Sequence, residues 1–578
     1  MIRDSLPARV AIQLFAILQT SVAPLSFIYY LHYTIYRESL FHLWFPDLFP
    51  SSTSTAATNT SVFLHYWLGF ELVFYVYFQI TRSRLQRITE HSHARTTEAE
   101  RFEIFQNALA TIDDVRTWLV GWFFTNGKTN ERPKFEEIRR ENVAEWLAWA
   151  FWDSTLEVVL ENPRHTHDLY EMLATVEKHY GVTFPPGYDE DICCIRLSLD
   201  PMNAIHRPFA FYAVIFTGTQ LINALLRWCG LERYGSESKG YYWSNTFEMD
   251  IKEVWGKAIA QPYEPERIVY WHYKPQQRAS TSAPRKRTPV VFIHGMGLGM
   301  ISYIEWVLRL LSLDREIFLV ELPYVSMRLV EDVPTMQETV REIDQMLENH
   351  GHKQAVFVGH SLGSAVVSWV LKNTPKKVAA VIMIDPICFL LHYPDVAYNF
   401  VYRIPERANE HIISFFASRE LYISHYISRH FHWNQAAFFV SSASSTTPPN
   451  ASTTPSTSTT PSSVYTLPDR TIVFLSEHDN LVNSPRVTTY LRSHGVDARL
   501  MPGLDHASFL FSEEWKARIL SGIRSYAEDI DAEDHLLKRV ASVVAKVGRK
   551  ATRASGGGRK GKKTVRAGDE NKGENGSE

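Results

Sequence analysis

Ala355-Val356-Phe357-Val358-Gly359-His360-Ser361-Leu362-Gly363-Ser364 carries three local signals in one short stretch. Ala355 to Val358 is an apolar, β-branched run that predicts a buried strand, and Ala365 to Leu371 continues with helical character. Between them, Gly359-His360-Ser361-Leu362-Gly363 reads as an abrupt strand-to-helix turn. Its two glycines are needed because such a turn leaves no room for Cβ atoms beside a strained serine. Ser361 would then stand above a helix N-terminus, where a nucleophile belongs. A GxSxG pattern also arises by chance, so its meaning depends on the rest of the chain.

A serine hydroxyl is a weak nucleophile at neutral pH; it needs a base, and the base needs an orienting carboxylate. Asp479 lies just after the strand-like Thr471 to Leu475, in Ser476-Glu477-His478-Asp479-Asn480-Leu481-Val482. His506 follows the strand-like Val496 to Met501, in Gly503-Leu504-Asp505-His506-Ala507. The order serine, acid, histidine points to Ser361 as nucleophile, His506 as general base and acid, and Asp479 as orienter. Asp385, at the end of the strand Val378 to Ile384, is the main rival acid. Glu477 and Asp505 are weaker rivals, and His478 is the chief alternative base. Acyl transfer also needs donors for a developing oxyanion, and the amides of Met296 and Leu362 are the candidates. Met296 sits in His294-Gly295-Met296-Gly297, directly after the strand Pro289 to Ile293. Gly299 comes too early to complete a dinucleotide fingerprint. His165, His167, His430 and His432 lack a matching carboxylate pattern, so neither a metal nor a cofactor is expected.

From Glu266 onward, strands Arg267 to Tyr273, Pro289 to Ile293, Ile317 to Glu321, Ala355 to Val358, Val378 to Ile384 and Thr471 to Leu475 alternate with helices. The helical stretches are Tyr303 to Leu311, Met336 to His350 and Ser364 to Lys372. This alternation predicts an α/β fold: a parallel sheet covered on both faces, with its site at the strands' carboxyl ends. On these motifs, residues 261–530 resemble the α/β-hydrolase superfamily in its serine lipase and esterase branches, in the manner of membrane-anchored, fungal-type hydrolases. The resemblance implies about eight mostly parallel strands, helices on both faces, a cap inserted after the sixth, and hydrolysis through an acyl-enzyme. It does not reach the first 260 residues.

At 578 residues the chain predicts two or three structural units. Its net charge of -3 argues against a specific nucleic-acid partner. Cys193, Cys194, Cys229 and Cys388 show neither zinc spacing nor a disulfide framework, which fits a reducing compartment. Val10 to Tyr36 is uncharged and long enough to span a bilayer, although Pro24 interrupts it. Val62 to Ile80 is apolar and aromatic, with Glu71 its one charge. Together, residues 1–95 read as an anchoring hairpin. Arg3 and Arg9 before it, and Arg82, Arg84 and Arg87 after it, place both ends in the cytosol. The loop holding Ser51 to Ser61 and the sequon at Asn59 would face a lumen, while the sequon at Asn450 would not. The membrane expected is that of the endoplasmic reticulum or another intracellular organelle.

Residues 96–260 read as helical and Trp-rich. Trp118 and Trp122, and Trp146, Trp149 and Trp152, recur at helical spacing, which favours core stripes over faces resting at lipid headgroups. Pro208 to Leu226 reads as a buried or interfacial helix in preference to a third span. Residues 387–440 are aromatic and predict a helical lid over an apolar pocket, and 441–463 are a Ser/Thr/Pro stretch with no core-forming side chains. Residues 531–578 hold a basic amphipathic helix, His535 to Lys550, and a Gly/Lys/Arg tail suited to anionic lipid. The function expected is a membrane-anchored serine hydrolase cleaving an acyl ester, with a lipid as the favoured substrate. An acyltransferase or non-lipid (thio)esterase on the same triad, and a non-catalytic membrane scaffold with this fold, are the alternatives.

Overall fold

The computed structural model describes residues 4–36, 55–88, 96–235, 268–275, 287–441 and 464–555. The expected linker 441–463, apart from its first residue, the sequon at Asn450, and the Gly/Lys/Arg tail beyond residue 555 lie outside these residues.

Two long helices open the chain, α1 (Leu6–Tyr36) and α2 (Thr55–Leu85). The second begins well before Val62, so Asn59 lies in a helix and not in the expected Ser51 to Ser61 loop. The reason is propagation: once a turn is nucleated, each further residue adds a hydrogen bond, and Ala56 and Ala57 favour it. Glu71, buried in α2, is not stranded among apolar side chains. It accepts hydrogen bonds from the amides of Phe209 (2.7 Å) and Ala210 (3.2 Å). Among the described helices, α1 and Phe209–Trp228 are long and apolar enough to cross a membrane.

Helices α3 (Glu98–Leu109), α4 (Arg140–Trp152), α5 (Pro163–Tyr180) and α6 (Phe209–Trp228) follow. Trp118, Trp122, Trp146 and Trp149 in this region are core residues. Trp118 meets Trp146 edge-on at 5.2 Å, and Trp122 packs against Trp149 at 5.7 Å. Trp118 Nε1 donates to His392 O and Trp433 Nε1 to Ala150 O, which ties this region to residues 387–440. One hydrophobic core runs from Ile104 and Trp118 into the central sheet. The chain up to Ala527 accordingly forms one compact unit.

The sheet has eight strands: β1 (Leu231–Tyr234), β2 (Val269–Tyr273), β3 (Val290–Ile293), β4 (Ile317–Glu321), β5 (Ala355–His360), β6 (Val378–Ile384), β7 (Thr471–Ser476) and β8 (Asp497–Met501). Their order is β8-β7-β6-β5-β3-β4-β2-β1. The β1–β2 and β2–β4 pairs are antiparallel, and the pairs from β4 through β3, β5, β6 and β7 to β8 are parallel. Strands β3, β4, β5 and β7 are buried at every residue, as largely apolar strands covered on both faces should be. The crossovers use α7 (Ile304–Leu311), α8 (Met336–Asn349), α9 (Leu362–Asn373) and α10 (Ser484–Ser493). Strand β1 differs from the expected set of strands, because Leu231-Glu232-Arg233-Tyr234 is short, half polar and lies before the span of the resemblance.

Between β6 and β7 the chain forms the expected helical segment in short pieces. Ala408–Ile413 and Leu421–His425 run on into the π-helical turns Ser414–Ser418 and Tyr426–His430. The last helix, α11 (Glu513–Ser555), leaves Leu536, Leu537 and Val540 exposed; its residues from Glu528 onward belong to a second unit.

Candidate active site

Ser361 links β5 to α9 and has φ 51° and ψ −119°, a conformation ordinary side chains avoid. The neighbouring glycines make the turn possible. A Cβ on Gly363 would lie 2.2 Å from Ile293 O, and one on Gly359 would lie 2.8 Å from Gly363 O. The turn is held by Ser361 N–H donating to Ile384 O at 3.0 Å, and by Ser364 Oγ donating to Ser361 O at 2.6 Å.

His506 Nε2 lies 2.9 Å from Ser361 Oγ, and its Nδ1 lies 2.7 Å from Asp479 Oδ2. An ionised carboxylate can only accept, so Nδ1 carries a proton, and the ring offers Nε2 to the serine hydroxyl when it is neutral. Asp479 is oriented in turn, since its Oδ1 accepts the amides of Leu481 (2.7 Å) and Val482 (3.0 Å). Burial alone would lower the His506 pKa. The charge and hydrogen bond of Asp479, then the charge of Asp385, outweigh burial and raise it to about 9.

The rival residues sit elsewhere in the network. Asp385 is buried behind the site, where it accepts from Ser476 N–H (2.7 Å), Ser476 Oγ (3.1 Å) and Ala507 N–H (2.9 Å). Burial and the nearby Asp479 raise its pKa to about 6. Glu477 accepts from the Gly503 amide, and His478 is exposed, 3.9 Å from Glu477. Asp505 accepts from Asn409. His165 packs beside Trp152, His167 is exposed, His430 faces His425, and His432 lies 3.5 Å from Asp153. Oxygen or nitrogen atoms of Asp385, Asp479 and His506 lie within 4.8 Å of one another, a spacing compatible with a metal ion. Both His506 nitrogens are already engaged in the relay, however, so these residues fit proton handling better.

The Leu362 amide opens α9, where the first N–H groups have no intrahelical acceptor. The amides flanking Met296 are spent: Gly295 N–H donates to Tyr303 Oη at 3.1 Å, and Gly297 N–H to Val325 O at 3.0 Å. Tyr303 then bridges to His360 Nδ1 at 2.6 Å. Burial, and next the neighbouring His506, hold the His360 pKa well below its ordinary value, leaving a neutral acceptor for the tyrosine hydroxyl. Tyr303 and His360 thus brace the loop beneath Met296. Sequence reading gave them no such role, because Tyr303 reads as a helix start and His360 as the variable residue of the turn.

Residues 288–492 match the family model for the alpha/beta hydrolase fold. The chain has the α/β-hydrolase fold. Solved structures similar to it include a carboxylesterase from the thaumarchaeon Nitrososphaera gargenis (13% identity, 47% of this chain and 98% of that one, TM-score 0.28). Others are a carboxylesterase from Bacillus subtilis (12%, 46% and 90%, 0.28) and a thermophilic esterase from Thermogutta terrifontis (12%, 47% and 97%, 0.30). No curated protein sequence matches the chain.

In this α/β-hydrolase domain, Ser361, His506 and Met296 line a cavity of about 1270 Å³. Its walls come from three sources: the hydrolase loops, the segment between β6 and β7 through Phe400, Ile413 and Phe431, and the N-terminal region through Trp122, Trp149 and Trp152. Most of the lining side chains are apolar.

Proposed function

We propose that this protein is a membrane-anchored serine hydrolase that cleaves an acyl ester of a lipid. The relay from Asp479 through His506 to Ser361 Oγ carries the reading. Ser361 Oγ attacks the acyl carbon while His506 Nε2 takes its proton, and Asp479 steadies the imidazolium that forms. The Met296 and Leu362 amides receive the negative charge that develops on the carbonyl oxygen. Collapse of the tetrahedral intermediate expels the alcohol, which takes the proton from His506. Water activated by the same histidine then releases the acid and restores Ser361.

Lipid as the substrate class is supported by the cavity's aromatic walls and by Phe511, which lines it yet is 72% exposed. Anchoring is supported by α1, whose Leu14, Ile17, Leu18 and Phe27 face outward. The same helix docks on the lid: Phe15 stacks on Phe416 at 5.8 Å, and Asp4 Oδ1 accepts the Ala408 amide at 3.0 Å. A span so placed would keep the cavity beside the bilayer, with the hydrolase domain on the cytosolic side. Labelling by a fluorophosphonate probe tests the enzyme reading. Wild type is expected to label and Ser361→Ala not to; a folded wild type that resists the probe would favour the scaffold alternative.

A further inference from the structure

Polar groups on the cavity wall built by α3, α4 and the start of α5 are unevenly satisfied. The acceptors have partners. Asn162 Oδ1 accepts the amides of Arg164 (3.0 Å) and His165 (3.5 Å), Asp153 accepts from Ser198 Oγ, and Ser198 Oγ accepts from Trp149 Nε1 at 2.8 Å. Three donors do not. Arg101 Nε, Trp122 Nε1 and Trp152 Nε1 are buried, belong to cavity-lining residues, and have no hydrogen-bond partner among the described residues. None of these groups can accept, so what they lack is an acceptor, from water or from a bound molecule.

Arg101 is the charged member and is 8% exposed. It is held rigidly: Nη1 donates to Thr96 O at 2.7 Å, and the guanidinium lies 4.9 Å from the centre of the Trp152 ring. Its acidic neighbour Asp168 forms an ion pair with it, 3.8 Å from Nη2 and so beyond hydrogen-bond reach, and is not part of the cavity lining. The other charges around it are paired or peripheral, with Arg164 bound to Glu98 and Glu161 exposed at the rim. Burial depresses the Arg101 pKa and, next to Arg101, that of His165.

We propose that this wall binds an anionic, oxygen-rich group of the amphiphilic substrate, a phosphate or a carboxylate, with Arg101 as its charge partner and Trp152 as its platform. The proposal rests on the reading of the cavity as the acyl-ester pocket, and it assigns the Trp-rich region the task of selecting the substrate's polar end. Arginine suits this task because its planar edge can give two parallel hydrogen bonds to such a group.

Binding can be measured without turnover on full-length Ser361→Ala protein, by calorimetry with octyl phosphate, 1-octanol and inorganic phosphate. Octyl phosphate should bind about 10-fold or more tighter than 1-octanol, as a charge-assisted pair predicts. Arg101→Gln should abolish that preference while leaving 1-octanol binding in place, and Arg101→Lys should keep part of it. Equal affinity for the two amphiphiles in the Arg101 protein overturns the proposal and requires no Arg101 variant to fold. So does a preference that survives in Arg101→Gln. Inorganic phosphate binding as tightly as octyl phosphate would make this a free-anion site and overturn its assignment to the substrate. Failure of the fluorophosphonate test would remove the hydrolase reading without altering these binding outcomes.

Discussion

Asp385 Oδ2 accepts the amide hydrogen of Ala507 at 2.9 Å, so the carboxylate that ends β6 fixes the backbone next to His506. The same side chain accepts from Ser476, the last residue of β7, three positions before Asp479. Asp385 therefore supports both the histidine loop and the acid's strand without touching the histidine ring by a hydrogen bond. Asp479 makes that bond.

The two aspartates should separate under mutation. Asp479→Asn is expected to lower kcat about 10,000-fold, because an amide leaves the imidazole in the wrong tautomer. Asp385→Asn retains an acceptor oxygen and should cost less than about 100-fold, a positioning effect. Ester hydrolysis by the two purified variants decides the matter. The opposite ranking would make Asp385 the catalytic acid.

The pH profile follows from the raised His506 pKa. General-base action needs the neutral ring, so kcat/KM should climb as pH rises from 7 toward about 9. Removing the Asp385 charge in Asp385→Asn should move the midpoint to lower pH, because that charge is one of the causes of the elevation. Linkage gives the stability sign. A histidine raised from 6.5 to about 9 contributes stability that is fully present below 6.5 and is lost as pH climbs through about 9. Initial rates and melting temperatures across pH 6 to 10 measure both effects, with His506→Ala as the reference that should lose the melting trend.

Much of the hydrolase half was legible in the sequence because its signals are local. Strands such as β6 and residues 317–320 of β4 are uninterrupted apolar runs, and Ser361 and Asp479 each follow a largely apolar strand, whereas His506 follows β8, which carries Asp497 and Arg499. What stayed hidden depends on contacts between distant segments. Strand β1 gains its place by pairing with β2, from Leu231 opposite Tyr273 to Tyr234 opposite Tyr270, and nothing in its four residues announces that. The bracing of Gly295 by Tyr303 and His360 is likewise a tertiary arrangement. The tryptophan stripes showed their helical spacing, but only packing reveals that Trp122 and Trp149 line the same cavity as Ser361.

Gly363→Ala tests the turn itself. The added methyl would sit 2.2 Å from Ile293 O, against the end of β3, which adjoins the loop carrying Met296. Backbone cannot yield as a flexible side chain does, so the substitution should destabilise the fold by at least about 1–3 kcal/mol, the usual cost of overpacking. Thermal unfolding should show a drop of several degrees, together with loss of fluorophosphonate labelling. A variant that melts and labels like wild type would mean that the turn is looser than described.

Glu71 offers a test far from Ser361. Its carboxylate caps the amides of Phe209 and Ala210, the first residues of α6, where the N-cap Pro208 has no side-chain oxygen to offer. Helix α6 runs directly toward β1, and its Gly218 packs against Ile301 beside the Tyr303 brace. Glu71→Ala leaves two part-buried N–H groups without their acceptor, and each hydrogen bond to a charged group is worth about 1.5–3 kcal/mol. Glu71→Gln keeps one acceptor oxygen and should recover part of the loss. Denaturation of the detergent-purified chain should therefore rank wild type above Gln, and Gln above Ala. If Ala unfolds with wild type, the apolar contacts of α2 with α6, such as Phe74 against Phe209 and Tyr212, hold that junction without the cap.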